Sequence, residues 1–534
     1  MGPSGSGKTT LLDILADRIS SLTGRIEGTI ELNGAKRNAK TFRAVTSYVA
    51  QEESLLGSFT VLETLTMAAK LSLPYSVDNA MIHERVEDVV DEMGLSVCRN
   101  TLVGDIFHKG ISGGQKRRLS IAIELLSNPS ILLLDEPTSG LDSSSTFNVM
   151  KFIKRLCQEG KNVICTIHQP SSLVFDMFTN LMILSKGKTV YFGSCSASID
   201  HFASAGYACP TYSNPAEYFI ELVNADFEGH ADIPALVNAY ASSTAAAKIT
   251  RDISEDRHSA VAEATKQLEP IAPSAWRQFW VLMYRGSINN VRNPGIFWVR
   301  LFMYIMLSFM VGTMYLRTNK DISQQDIVPL LFYVQAFLVF MSVAVLPFFI
   351  EQRPVFTRER ANSSLSVISY VLANFLAALP GIFLIALVSS LLVVFLADIN
   401  SFGSFLLNLF LSLVVAESLM HVIGAAVPHY IIGIALGAGL FGMFMLCEGF
   451  MVPRASIPNY WIWGYYLAFH SYSFESFVYE HFRQENSPEA KAILERLGME
   501  DVDVSQNMAI LAGYAVGFQL IFTFILYKFH TGRR

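Results

Sequence analysis

Hydrophobic and polar positions follow two different rhythms along these 534 residues. Up to about Pro273, apolar runs are short and interleaved with charge, and their spacing predicts a mixed α/β fold. A helix is expected from Leu11 to Ser20, then a strand-rich stretch from Gly24 to Gln51, where RIEGTIELNG alternates and SYVAQ favours a strand. Helices follow at Thr60–Leu73 and Asn79–Met93, and ISGGQKRR (Ile111 to Arg118) opens another that runs to Leu126. ILLLDEP (Ile131 to Pro137) is a continuous apolar run closed by two carboxylates, the pattern of a buried parallel strand whose tip meets a ligand. VICTIHQP (Val163 to Pro170) predicts a second such strand, ending at His168.

Beyond Pro273 the apolar runs lengthen to about twenty residues, enough to cross a bilayer. Six spans are expected: Ile296–Leu316, Ile327–Ile350, Tyr370–Leu396, Phe402–Val427, Ile431–Val452 and Met508–Tyr527. Between the two rhythms, Asp226 to Pro273 is rich in Ala, Ser and charge with weak periodicity, which predicts a partly disordered linker. Ser274 to Arg292 places Trp276, Phe279, Trp280 and Tyr284 on one apolar stripe among arginines, which predicts a helix lying along a membrane surface.

Composition agrees with a membrane protein: 51% of residues are hydrophobic and only 16% charged. The net charge of -6 argues against nucleic acid as a partner. Six cysteines are scattered without a C-x-x-C pair, which predicts reduced thiols rather than a disulfide framework, and the histidines lack zinc-ligand spacing.

The chemistry is concentrated in the first rhythm. Residues Gly2, Pro3, Ser4, Gly5, Ser6, Gly7, Lys8, Thr9 and Thr10 fit G-x-x-x-x-G-K-[ST], a loop whose backbone N–H groups cradle phosphates. Its lysine neutralises phosphate charge and its threonine hydroxyl ligates Mg²⁺, so a nucleoside triphosphate is the expected ligand. Such a loop normally joins a buried strand to a helix, and Met1 alone cannot be that strand; part of the domain is therefore expected to be missing, and the chain as written to bind ATP poorly. Taken singly, SGGQ is also a helix cap and His168 an ordinary structural histidine. Their order along the chain, together with Gln51, decides between the readings.

That order resembles the nucleotide-binding domain of ATP-binding-cassette transporters over nearly the whole first half. The resemblance makes Gly2 to Thr10 the Walker A loop, Gln51 the Q-loop residue and Ser112, Gly113, Gly114 and Gln115 the signature motif. It makes Asp135 the Walker B aspartate, Glu136 the catalytic glutamate, Asp142 the D-loop residue and His168 the switch histidine. Thr9, Gln51 and Asp135 would then organise Mg²⁺, Glu136 would polarise the attacking water, and His168 would contact the γ-phosphate. In this family the signature motif closes on ATP held by the other protomer, so a dimer is implied.

Cassette first and six spans second resembles the G subfamily, the White-Brown complex half-transporters. NPAEYFIELVN (Asn214 to Asn224), EQRPVFTRER (Glu351 to Arg360), AESLMH (Ala416 to His421) and GYYLAFHSYSFES (Gly464 to Ser476, resembling an outer re-entrant region) carry that resemblance further. LLGSFTVLETL and GDIFHKGISGGQKRRLSIAIELL look closest to plant-type members that export lipids. The implied architecture is an α/β nucleotide-binding domain with a RecA-like P-loop core and a helical subdomain (1–225), a linker (226–273), an amphipathic connecting helix (274–292), and an all-α polytopic membrane domain of six transmembrane helices (293–534) with an outer loop at 453–507.

Arg277, Arg285 and Arg292 before the first span, Arg353, Arg358 and Arg360 after the second, and Lys528, Arg533 and Arg534 after the sixth orient the cassette and both termini to the cytosol. Asn362 starts an N-x-S acceptor pattern on that same side, which discounts it as a glycosylation site. Glu351, Arg353, Arg358, Glu359 and Arg360 are expected to face the connecting helix. By resemblance, substrate lies between the second and fifth spans, where Phe332, Tyr333, Phe337 and Phe340, and Phe441, Phe444 and Met445, would form an adaptable apolar wall. Glu417 and His421, one turn apart, are expected to pair in a packing role, and Glu448 to sit near water at the outer end of the fifth span. The expected function is ATP-driven export of a hydrophobic, lipid-like substrate across the plasma membrane by a homo- or heterodimer. Export of xenobiotics or sterols, and a silent partner subunit, are the alternatives.

Overall fold

A computed structural model describes residues 1–19, 26–224, 231–259, 273–316, 323–485 and 487–532. The chain divides into two compact units, one running from Met1 to Ser274 with the short piece Ala361–Ser364, the other made of Ala275–Arg360 and Leu365–Thr531.

The first unit opens on helix α1 (Lys8–Leu15), followed by a hairpin of β1 (Glu31–Leu32) and β2 (Ala35–Lys36). Asn33 and Gly34, both at positive φ, form the two-residue turn that Asn-Gly favours. Helix α2 (Ala39–Val45) then interrupts the stretch expected to be strand, and β3 (Thr46–Val49) follows. Helices α3 (Val61–Ser72), α4 (Asn79–Glu92) and α5 (Gly113–Leu125) lead to β4 (Ile131–Leu134), α6 (Ser143–Gln158) and β5 (Asn162–Cys165). Strands β3, β4 and β5 form a parallel sheet in that order, with Val49 opposite Leu134 and Leu134 opposite Cys165. The register matters for function: it brings the carboxyl ends of the three strands, where Gln51, Asp135 and His168 follow, to one edge of the sheet. Strand β4 is buried as expected, whereas β5 is an edge strand whose outward alternates Asn162 and Ile164 are exposed. Helix α7 (Ser172–Phe175), the antiparallel pair β6 (Asn180–Ser185) and β7 (Lys188–Ser194), and helices α8 (Cys195–Ser204) and α9 (Pro215–Val223) build a second apolar cluster. Met1 takes a ladder position beside β6, where the Leu184 N–H donates to its carbonyl at 3.0 Å.

The expected linker needs correction. Helices α10 (Ile233–Ala241) and α11 (Thr244–Ser259) fill much of it. Ile233 and Leu236 are buried in the second cluster, the Tyr240 hydroxyl donates to Phe192 O at 3.1 Å, and Arg257 forms a two-pronged ion pair with Glu31. A face of so few large residues among alanines hides the amphipathic signal, although it packs well. The remainder of that segment, 225–230 and 260–272, lies outside the described residues, as do Arg533 and Arg534.

In the second unit, α12 (Ala275–Arg292) buries Gln278, Leu282 and Asn289 and leaves Trp276, Trp280 and Tyr284 more than half exposed, as an interfacial helix requires. Next come α13 (Trp298–Met314), α14 (Gln324–Tyr333), a π-turn at Val334–Leu338, a 3₁₀ turn at Met341–Ala344 and α15 (Val345–Ser363). The pieces from Gln324 to Ser363 form one continuous 40-residue rod. With α16 (Val367–Ala397), α17 (Phe402–Ala426), α18 (Tyr430–Cys447) and α22 (Val504–Phe529) there are five described helices long and apolar enough to span a membrane; α13 is apolar over 17 residues. The expected outer loop is largely helical, with α19 (Ile462–Leu467), α20 (Phe469–Glu485) and α21 (Pro488–Leu497). Phe469, Phe474, Phe477 and Phe482 bury one side of α20 in the core.

Two of the arginines that orient the spans also close helix ends. Arg353 donates to the carbonyls of Gly424 and Val427 at the end of α17, and Arg360 to those of Leu526, Tyr527 and His530 at the end of α22. Leu526 O also accepts from the His530 N–H, the others lie at helix ends where backbone donors run out, and cations there complement the helix dipole. As expected, α12 meets the charged end of α15: Arg285 forms a two-pronged ion pair with Glu359, and Asn289 donates to Gln352 at 3.2 Å.

Candidate nucleotide site and membrane core

The loop before α1 is shaped by glycine. Gly2 has φ +148°, and a Cβ there would lie 2.2 Å from Leu184 O, so only glycine permits the loop to lie against β6. Gly5 and Gly7 also have positive φ. The Lys8 ammonium folds back inside the loop and donates to Gly2 O at 2.9 Å and Pro3 O at 2.8 Å. Burial lowers its pKa, opposed by the nearby Glu136 and Asp135 carboxylates. Pro3 O also accepts from Ser6 N, Ser6 O from Gly187 N, and Ser6 Oγ is buried without a partner. Ser4 and Gly5 form the exposed crest, and Thr9 and Thr10 begin the helix beneath it.

The tip of β4 meets this loop. Thr9 Oγ1 donates to Asp135 Oδ1 at 3.0 Å, and Thr166 Oγ1 donates to the same oxygen at 2.7 Å. Thr166 Oγ1 also accepts from the Glu136 N–H at 2.8 Å, which holds Glu136 at φ +44°. Glu136 Oε2 in turn accepts from Gln51 Nε2 at 2.9 Å. Two residues that the sequence reading overlooked tie this edge together. Buried Arg117, on α5, donates to the carbonyls of Ala50, Gln51, Asp135 and Pro137. The Tyr48 hydroxyl donates to Asp13 at 2.9 Å and approaches Asp135 Oδ2 at 3.5 Å. A buried arginine that gives four of its five donors to carbonyls of separate segments holds those segments in one relative position. Its signal in the sequence is weak, because Arg117 stands in an ordinary charged run, QKRR.

Glu136 and His168 line one cleft of about 580 Å³ together with Ser139, Gly140 and Ser143. His168 is exposed there, followed by Gln169 at positive φ. Ser112 caps α5 with Gln115 in a reciprocal box: Gln115 N donates to Ser112 Oγ, and Ser112 N to Gln115 Oε1. The cap reading of SGGQ is thus observed, and Ser112 and Gly113 are exposed at the start of the helix. Gly114 is needed because a Cβ would come within 3.0 Å of Ser145 on α6. Asp142 caps α6 through Ser144 N and Ser145 N, and hydrogen bonds from Ser145, hydroxyl foremost, lower its pKa. Among the described residues no hydrogen bond joins Ser112, Gly113, Gly114 or Gln115 to the loop Gly2–Thr10.

The membrane unit distributes the candidate wall unevenly. Tyr333 and Phe337 stack at 4.9 Å, with Phe337 39% exposed, and Phe332 stacks on Phe450 at 4.2 Å. Phe340 approaches Phe441 at 6.2 Å. Phe441 and Phe444 are buried against Phe469 and His470, and Met445 is half-buried. The ionisable residues depart from expectation. Glu417 accepts from Arg300 Nη2 at 2.9 Å rather than pairing with His421, whose ring lies between Phe349 and Phe522. An arginine contributed by α13 takes the carboxylate, since its permanent charge offsets burial of the anion. Glu448 is fully buried and, among the described residues, neither carboxylate oxygen has a partner, so it is not at the water-accessible position expected for that end of α18.

Comparison with known proteins agrees with both units. The family model "ABC transporter" matches residues 1–139, and models named "ABC-2 type transporter" match 168–235 and 277–482. A nucleotide-binding α/β unit and a polytopic membrane unit in one polypeptide define an ATP-binding-cassette transporter whose cassette is an ATPase. The chain is 38% identical over 509 residues to ABC transporter G family member 11 of Arabidopsis thaliana, covering 88% of this chain and 71% of that protein. It is 34% identical to ABC transporter G family member 1 of Petunia hybrida (98% and 86% covered) and 32% identical to ABC transporter G family member 22 of Dictyostelium discoideum (100% and 89%). This chain belongs to the ABC transporter G family and is a multi-pass membrane protein of the exporter type. Among solved structures it is similar to a dimeric ATP-binding cassette in a post-hydrolysis state with ADP and Pi, at 26% identity over 36% of this chain and 83% of that one, with a TM-score of 0.31.

Proposed function

We propose that this protein exports a hydrophobic, lipid-like molecule across the plasma membrane, as a dimer with its cassettes and termini in the cytosol. The observation that carries the cargo reading is the stacked Tyr333–Phe337 pair, partly exposed on the long rod of α14 and α15. A flat aromatic face without a charged partner suits long apolar molecules. Dimerisation is supported by the helix start at Ser112 and Gly113, which is exposed and, among the described residues, makes no hydrogen bond to the loop Gly2–Thr10, because a second copy would supply the missing side of each site.

In this reading Lys8 and the loop amides hold the β- and γ-phosphates, and burial with a low local dielectric strengthens that contact. The donor set fits Mg²⁺: the Thr9 hydroxyl and Asp135 carboxylate already lie within a hydrogen bond of each other, both are hard oxygen ligands, and Gln51 uses its amide nitrogen for Glu136, its side-chain oxygen making no hydrogen bond among the described residues. When bound, the ion neutralises phosphate charge. Glu136, held by Gln51 and by the Thr166 bond to its backbone, orients and polarises the attacking water; His168, across the same cleft, stabilises charge on the γ-phosphate. Asp142 fixes the start of α6 beside that cleft.

Purified protein reconstituted in vesicles tests the cargo. Long-chain lipids are expected to raise the rate of ATP hydrolysis several-fold and xenobiotics to leave it unchanged. Stimulation by xenobiotics or sterols alone would transfer the proposal to those substrates.

A further inference from the structure

We propose a second lipid site, inside each transmembrane unit, for a neutral single-chain lipid that ends in a hydroxyl. The cavity has a volume of about 290 Å³ and lies among α12, α13, α15, α16 and α17. That is room for roughly ten groups of water size, enough for a polar head and the first part of a chain. None of Phe332, Tyr333, Phe337, Phe340, Phe441, Phe444 or Met445 lines it, so it is separate from the aromatic wall.

One part of the lining is polar and incompletely satisfied. Arg300 and Glu417, which pair at 2.9 Å, both line the cavity. His421 lines the same cavity, is 6% exposed, and makes no hydrogen bond among the described residues. The rest of the wall is mixed: Phe297, Phe349, Ile382 and Ile385 form apolar stretches, and Asn290, Gln352, Tyr370 and Asn374 add polar groups. Leaving polar groups unpaired beside an apolar void is costly, so a ligand that both donates and accepts is favoured there. Charge selects further. An anionic head would meet Glu417 and a cationic head Arg300, whereas a hydroxyl disturbs neither partner of the ion pair. The apolar walls then take the chain, and α16 yields space beside it because Pro380 breaks its hydrogen-bond ladder at the cavity edge.

Photolabelling with a diazirine analogue of 1-hexadecanol, on the full chain in nanodiscs, tests the site without requiring transport. Labelled peptides are expected in α13 and α16, and unlabelled hexadecanol is expected to compete at least tenfold better than hexadecanoate or hexadecylamine. Ala378→Phe, which fills the cavity, should cut labelling at these peptides at least tenfold, and His421→Leu several-fold. Phe337→Ala, in the wall, should leave it unchanged, which separates this site from the cargo reading. If Ala378→Phe does not fold, Ile385→Phe serves the same purpose. Equal labelling of the native and cavity-filled proteins overturns the proposal, as does equal competition by the acid or the amine.

Discussion

The cassette and the transmembrane unit hold polar groups together by opposite means. In the cassette, the groups around Asp135 come from short segments at the ends of parallel strands, and each is reached by one or two hydrogen bonds of 2.7–3.0 Å from neighbours in the same sheet edge. In the membrane unit, polar groups are drawn from distant helices: Arg300 of α13 with Glu417 of α17, and Ser473 of α20 with Gln335 of the π-turn and Asn408 of α17. In the proposed function the first arrangement acts on a ligand. The second satisfies groups that lipid cannot. In the proposed function Glu136 is therefore replaceable structurally but not chemically, whereas Arg117 in the cassette and the Arg300–Glu417 pair in the membrane unit hold segments together.

Three substitutions probe that contrast, from the largest effect to the smallest. Glu136→Gln is expected to lower ATP turnover by roughly 10²- to 10⁴-fold while nucleotide binding and thermal unfolding stay near native. Phosphate release together with fluorescent-nucleotide titration measures this, and a collapse of folding would break the contrast. Arg300→Leu alone should destabilise the membrane unit by about 3–5 kcal/mol, whereas the Arg300→Leu/Glu417→Leu pair recovers most of that loss. Unfolding curves in detergent decide it; a double variant as unstable as the single would show that packing rather than charge holds α13 to α17. Asn408→Leu removes the amide that donates to Ser473 O at 2.8 Å and accepts from its hydroxyl at 2.7 Å. A loss of about 1 kcal/mol is expected, with ATPase activity retained.

Legibility in the sequence follows the same division. Motifs such as Gly2–Thr10 and Ser112–Gln115 are contiguous, and their backbone conformations are dictated by their own residues, so the loop and the capped helix start were readable. Gln51, Asp135 and His168 were readable as a set because each follows a strand. Arg117 was not, since nothing local distinguishes a buried arginine from a solvated one. Strand β5 was misjudged as buried on both faces because an apolar run does not say which neighbours cover it. Helices α10 and α11 were hidden by alanine-rich sequence with few large apolar residues to mark a period.

By itself, the sequence determined that a phosphate-binding cassette precedes a set of membrane helices, since apolar run length and local motif chemistry require no knowledge of neighbours. Only the tertiary structure decided which partners meet. It gave Glu417 an arginine instead of His421, left Glu448 without one, and set Arg353 and Arg360 on the ends of other helices. Those choices depend on distances between segments far apart in the chain. Coulomb attraction and the cost of burying an unpaired group act across space, and the sequence lists residues only in order.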